Sequence, residues 1–281
     1  MLIVIPAFEL LSFWVISNTY CMVYIFLLMI GMNLYTTDER ENKALLILLS
    51  MVICWLTLSR AEMSVCMACI VCLISFLPLT QREMLTLSVP MMVVQLLYLI
   101  ELNYQQAISV KNVYDSMLTP AIQAIITVAT VGCVIYSFFI NSKFFSWIRK
   151  KINIIVFAVL PGICIAIYFL DKEKYVKSIE SIIYNFKTQY WGYLPALILI
   201  LYIMIVLNKR INFWLIFSTG YVLINLILCL GRKHPLRNGY GDSCNRIMMS
   251  AIPVVFFALI CSVLEIVALR IKENREQEEY K

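Results

Sequence analysis

The chain has 281 residues, of which 62% are hydrophobic and 14% charged, and its formal net charge is +6. Soluble domains carry about 25% charged residues, and a water-soluble fold of this length has too little interior to hide so much apolar side chain. A soluble globular domain is therefore excluded. With no basic stripe interleaved with aromatics and no nucleic-acid module, nucleic acid is not expected as a partner.

In lipid every backbone polar group must be satisfied within the protein, so helices or closed barrels are the choices. The apolar runs here are continuous rather than alternating, which selects helices. About twenty mostly apolar residues cross a bilayer. On that measure the expected fold is an all-α polytopic transmembrane helix bundle of about nine helices (range 8–10), at 10–32, 44–59, 63–80, 84–101, 119–140, 153–170, 193–207, 212–230 and 247–269. No Lys or Arg precedes Arg40, so the start lacks the basic region of a signal peptide. Pro90 leaves the fourth run open to a re-entrant or interfacial reading. Thr119–Pro120 is a helix start, a capping hydroxyl followed by a first-turn proline. Pro161–Gly162 predicts a kink in the sixth run. Trp147, Tyr190, Trp191 and Tyr193 stand where an interfacial aromatic belt would stand.

Two connections are long. Residues 171–192, DKEKYVKSIESIIYNFKTQYWG, place Val176, Ile179, Ile183, Phe186 and Tyr190 at helical spacing. That predicts an amphipathic helix near 173–190 lying in the membrane interface, a connector or a cover for a substrate entrance. Residues 231–246 read GRKHPLRNGYGDSCNR. A single transmembrane domain over 1–281 is expected, ending in a charged tail at 270–281. Lys and Arg set the orientation: the N-terminus outside, and the connections after odd-numbered helices cytoplasmic together with the tail, holding thirteen of the 23 basic residues. The expected location is a bacterial inner membrane with the C-terminus in the cytoplasm.

Most of the ten cysteines lie in apolar runs, where free Cys behaves as a small apolar residue. Even Cys66, Cys69 and Cys72, with cluster-like spacing, sit in the helical run SVCMACIVCLISF, so packing is favoured over a metal or redox role. No cofactor motif and no metal site is read. Glu9 and Glu101 are lone acids near helix ends and read as interfacial.

The loop before the last helix collects Arg232, Lys233, Arg237, Arg246, the only histidine His234, and Asp242. Gly239 and Gly241 allow sharp turning. Asp242, Ser243 and Asn245 are helix-capping types directly before an apolar run. A helix N-terminus with arginine forks suits an anion such as phosphate. The plainer alternative is a basic cluster anchoring the helix to lipid headgroups. A second polar pair, Arg60 and Glu62 in TLSRAEMS, interrupts about thirty-five largely apolar residues. It is a tight polar turn, or a charged group aimed into a cavity from the outer side.

Both constellations resemble the distal part of bacterial multi-spanning glycosyltransferases of the GT-C superfamily. GYGDSCNRIMMSAIP looks like the family segment in which a G-D-S-x-N-R-M run precedes a final proline-containing helix, with Pro253 here. LTLSRAEMS looks like the threonine/serine–basic–x–glutamate turn that opens a helix in those enzymes, and IPAFELLSFWVISNTYCMVYIF like the helix before it. The resemblance implies a polyprenyl-phosphate-linked sugar as donor, with Arg60 and Arg246 bordering the donor cavity and Asp242, Ser243 and Asn245 shaping it. The family carries its general base in the first outer loop, which the resemblance places before this chain's first residues; Asp38, Glu39 and Glu41 fall on the cytoplasmic side, so no base is assigned.

The expected function is accordingly a membrane glycosyltransferase, or a truncated or degenerate homologue, moving a sugar from a polyprenyl-phosphate carrier to a cell-envelope polysaccharide or glycolipid acceptor. Its substrate- and phosphate-binding residues would be Arg60, Glu62, His234, Arg237, Asp242, Ser243, Asn245 and Arg246. Membrane lipid, the lipid-linked sugar and a separately encoded N-terminal half are the expected partners. The alternative is a non-enzymatic membrane subunit of polysaccharide export, a flippase or a helix-bundle partner.

Overall fold

The computed structural model describes residues 16–37, 40, 42–59, 61–108, 119–188, 193–208, 211–232, 234–238 and 242–279. Every regular element among them is helical, with no strand. The described chain falls into two compact units, one from Val23 to Ile152 and one formed by Asn153–Lys281 with Met1–Met22.

The first unit contains α1 (Ile16–Thr37, from Val23 onward), α2 (Lys43–Ser59), α3 (Ala61–Ile74), α4 (Gln81–Ile108), α5 (Pro120–Phe138) and the short α6 (Lys143–Lys150). α2 packs on α3 and α4, and α5 closes over α3 and α4. Pro90 does not break α4, which runs through it without interruption. A proline removes one amide donor and orphans the carbonyl four residues earlier, here that of Thr86. The Ser50 hydroxyl of α2 donates to that carbonyl at 2.8 Å. In a bilayer this repair from a neighbouring helix is what lets proline stay inside a span. The expected start at Thr119–Pro120 is present: the Thr119 side chain accepts from Ile122 N–H, with the proline in the first turn.

The turn between α3 and α4 is tied from three sides. Arg149 donates to the Leu77 carbonyl, Arg40 donates to the Pro78 carbonyl at 2.6 Å, and the Ser75 and Tyr136 hydroxyls lie 2.6 Å apart. α4 then opens with a reciprocal cap: the Thr80 N–H donates to the Glu83 carboxylate at 2.5 Å, and the Glu83 N–H to the Thr80 hydroxyl at 3.3 Å.

The second unit contains α7 (Ile152–Leu170), α8 (Lys172–Thr188), α9 (Leu194–Leu207), α10 (Phe213–Leu230) and α11 (Ser243–Glu279). α10 packs along α11 and α7, α9 lies on α11, and α8 touches α7, α10 and α11. A π-helical turn over Ile155–Val159 ends two residues before Pro161, where the sequence predicts a kink. One apolar cluster, Ile205, Leu215, Leu259 and Ile266, joins α9, α10 and α11.

Each of the nine expected apolar runs contains a helix among the described residues. Six helices are long and apolar enough to cross a membrane: Tyr20–Thr37, Gln81–Glu101, Pro120–Phe138, Ile152–Leu170, Phe213–Leu230 and Cys244–Glu273. Lys43–Ser59, Met63–Ile74 and Leu194–Leu207 are apolar but shorter. The protein is thus an all-helical membrane protein with six such helices among the described residues.

The expected helix near 173–190 is α8, but its buried face is not the apolar stripe. Ser178, Ser181, Ile182 and Asn185 are buried, while Val176 and Ile183 of the stripe are exposed and Ile179 and Phe186 half-buried. Tyr190 and Trp191 lie outside the described residues; Trp147 and Tyr193 of the aromatic belt are both exposed.

Candidate functional site

Between α10 and α11 the described residues of the loop, Gly231, Arg232, 234–238 and Asp242, lie against the buried serine face of α8 through Arg232 and Leu236. Leu236 is its anchor. Its side chain is buried with Ile182, Cys229, Cys244, Met248 and Met249, and its N–H donates to the Ser178 hydroxyl at 3.2 Å. Burying an apolar side chain of this size contributes about 1.5–3 kcal/mol, enough to hold an otherwise polar segment against the helices.

Asp242 organises the rest. The carboxylate is nearly buried, with 7% side-chain exposure. One of its oxygens accepts from the Cys244 N–H at 2.8 Å and the Asn245 N–H at 3.3 Å, so Asp242 caps α11. That same oxygen lies 3.0 Å from the Arg232 guanidinium, and the other accepts from the Arg237 N–H at 3.4 Å. Burial opposes the Arg232 charge, but Cys244 and Asp242 beside it outweigh burial and hold its pKa above the usual arginine value. Lys174 of α8 donates to the Arg232 carbonyl at 2.9 Å, fastening the loop's other end.

Asn245, fully buried, carries the third tie. Its amide nitrogen donates to the Ser181 hydroxyl at 2.9 Å and to the Arg237 carbonyl. Its side-chain oxygen is buried with no hydrogen-bond partner among the described residues. A buried acceptor of that kind accommodates a donor from outside the chain, such as a hydroxyl or water.

Of the residues expected in a phosphate site, the structure therefore brings His234, Arg237, Asp242, Asn245 and Arg246 into one region. His234 and Arg237 are exposed, and Arg246 is half-buried in the first turn of α11. The first-turn amides of Cys244 and Asn245 are already taken up by Asp242, so any affinity for an anion rests on the arginine side chains and the histidine. Ser243 begins α11, but its side chain lies outside the described residues, as do Lys233, Gly239 and Gly241. Arg60 and the side chain of Glu62 lie outside them too; the Glu62 backbone belongs to α3, in the first unit. Asp38, Glu39 and Glu41, for which no catalytic role was assigned, are likewise outside.

Two residues of this arrangement were not singled out by sequence reasoning: Ser178 and Ser181. Their signal was the polar repeat Ser178, Ser181, Asn185 at helical spacing on the face opposite the apolar stripe. Comparison of the chain with protein-family models, with curated proteins and with solved structures finds no match.

Proposed function

We propose that the 231–246 loop is the phosphate-binding part of a membrane protein that handles a polyprenyl-phosphate-linked sugar. The protein would be a glycosyltransferase of the GT-C type, or a homologue that has lost the chemistry, working in the assembly of a cell-envelope polysaccharide or glycolipid. One observation carries the reading: buried Asp242 and Asn245 fix a loop whose His234 and Arg237 side chains remain exposed beside Arg246, at the start of a long apolar helix. A lipid-linked phosphate has its chain in the bilayer and its charge at such a helix start. Arginine matches phosphate with paired donors, and cations there would stabilise the phosphate as it leaves the sugar.

A second reading is favoured by one feature. Asp242 is the only acid in 231–246, and its carboxylate is committed to α11 and to Arg232. It is poorly placed to take a proton from an acceptor hydroxyl. A non-enzymatic subunit that binds the same lipid phosphate would need no base.

The test is titration of the purified chain with a polyprenyl phosphate, read by native mass spectrometry. Arg237→Ala with Arg246→Ala should weaken binding roughly tenfold or more, since hydrogen bonds to charged groups contribute about 1.5–3 kcal/mol each. Unchanged binding by the folded double variant would remove the proposal. Release of sugar from the lipid-linked donor by the unaltered chain separates the enzyme from the subunit.

A further inference from the structure

The first unit holds a cleft of about 770 Å³ between α2 and α4, lined by Ile47, Met51, Trp55 and Leu58 on one side and Leu85 and Val89 among those on the other. Its wall is apolar apart from Ser50 and Thr86, and these are already joined through the Thr86 carbonyl. Pro90 also lines it. Several of its side chains are open, Met51 at 63% and Trp55 at 57% exposure.

Two cations precede the lining residues of this cleft, one on each of its wall helices. Lys43 opens α2 and shares a helix face with Ile47 and Ser50, four and seven residues on. Arg82, the second residue of α4, shares a face with Leu85, Thr86 and Val89, three, four and seven residues on. Because Ser50 meets Thr86, the two faces belong to the same cleft, and both helices enter it from the same end. Lys43 is about 10 Å and Arg82 about 6 Å of helix rise before that contact. Both side chains are exposed. Among the described residues the acid beside them is Glu83, and it is occupied: it accepts from Tyr35 OH at 2.7 Å, caps Thr80 N–H, and faces Arg40 at 3.8 Å. It does not cancel the two cations.

From Lys43 to Trp55 the helix rises about 18 Å, close to one leaflet of a hydrocarbon core about 30 Å thick. An apolar cleft of one-leaflet depth with a cation preceding it on each wall helix fits a single-chain tail below a phosphate. We infer that the α2–α4 cleft is a binding site for an anionic phospholipid, with an acyl chain along Met51 and Trp55 and its phosphate on Lys43 and Arg82. This inference does not depend on the reading of the 231–246 loop.

The experiment uses Trp55 as the reporter. The full chain is placed in phosphatidylcholine nanodiscs containing either brominated phosphatidylglycerol or brominated phosphatidylcholine. The emission of Trp55 is taken as the difference between the unaltered chain and Trp55→Phe. Brominated phosphatidylglycerol should quench it at mole fractions lower by on the order of tenfold. In Lys43→Gln/Arg82→Gln the two quenching curves should coincide, while quenching by the phosphatidylcholine remains and reports an intact cleft. Equal quenching by the two lipids in the unaltered chain overturns the inference, as does a preference that survives the double substitution. Quenching by neither lipid overturns it too, because protein rather than lipid then covers the cleft.

Discussion

The two units use buried polar side chains for different ends. In Val23–Ile152 they mend the backbone or tie helices: Ser50 supplies a donor to the carbonyl that Pro90 orphans, and Ser75 meets Tyr136. In Asn153–Lys281, Ser178, Ser181 and Asn245 hold a loop whose cationic side chains face outward. A bilayer gives serine no water to bond, so each buried hydroxyl must be explained by a partner. Where the partner is a carbonyl that a proline has orphaned, the explanation is complete. Where it is a loop carrying exposed His234 and Arg237, the polar contact positions something, and that is why function is sought there.

The largest effect is expected at Asp242. Asp242→Ala deprives the Cys244 and Asn245 amides, the Arg237 amide and the Arg232 guanidinium of one acceptor. A lost cap removes about 1 kcal/mol; a charge-assisted bond adds to this, discounted because Arg232 is 41% exposed. The expected loss is about 2–3 kcal/mol in reversible unfolding. A change within about 0.5 kcal/mol would mean the loop is not held as described.

Asn245→Ala comes next, at about 1–2 kcal/mol for two lost bonds from a buried amide. Its signature is local. Amide exchange across residues 234–238 should accelerate, because the Arg237 carbonyl and Ser181 lose their common donor. Unchanged exchange there would place the loop with the first kind of polar contact rather than the second.

Much of this architecture was legible, for reasons that can be named. Long continuous apolar runs select helices over barrel strands, and each of the nine runs contains a helix among the described residues. Thr119–Pro120 is a local signal, and the local structure obeys it. Pro90 was ambiguous because its remedy, Ser50, lies 40 residues earlier on another helix. The apolar stripe of α8 marks it as a helix for the membrane interface, but the stripe alone does not say which side chains meet the protein. Beside a bilayer Val176 and Ile183 can face outward, and the serines turn in. In the site, Asp242 and Asn245 were visible as capping types, but the Ser178 and Ser181 partners lie 58 and 64 positions from the atoms they bind. The count of crossing helices was not legible, since Lys43–Ser59, Met63–Ile74 and Leu194–Leu207 are apolar yet short.

The repair at Pro90 gives a double-mutant cycle. Ser50→Ala alone should destabilise by about 0.6 kcal/mol and by no more than about 1.7 kcal/mol, the range for polar contacts between membrane helices. In a Pro90→Ala background the restored amide can take the Thr86 carbonyl, so Ser50→Ala should then have almost no effect. A Ser50 effect of equal size in both backgrounds would show that the hydroxyl acts elsewhere.

The smallest single effect is expected for Tyr136→Phe, and its pairing with Ser75 is the finest test of the contrast. Both are buried, and their hydroxyls are 2.6 Å apart. Ser75 also donates to the Cys72 carbonyl at 2.5 Å. With that proton engaged, Tyr136 must be the donor to Ser75. Tyr136→Phe then removes a donor and leaves no group stranded, for a loss of about 0.5 kcal/mol. Ser75→Ala is not its mirror image, because it leaves the buried Tyr136 hydroxyl without its acceptor, at about 1–2 kcal/mol. The double variant should return close to the Tyr136→Phe value, since removing both partners strands neither. If Tyr136→Phe is instead the more damaging single change, the proton runs the other way. The Ser75–Tyr136 contact would then position a group rather than tie two helices, and the contrast between the units would fail at its most ordinary contact.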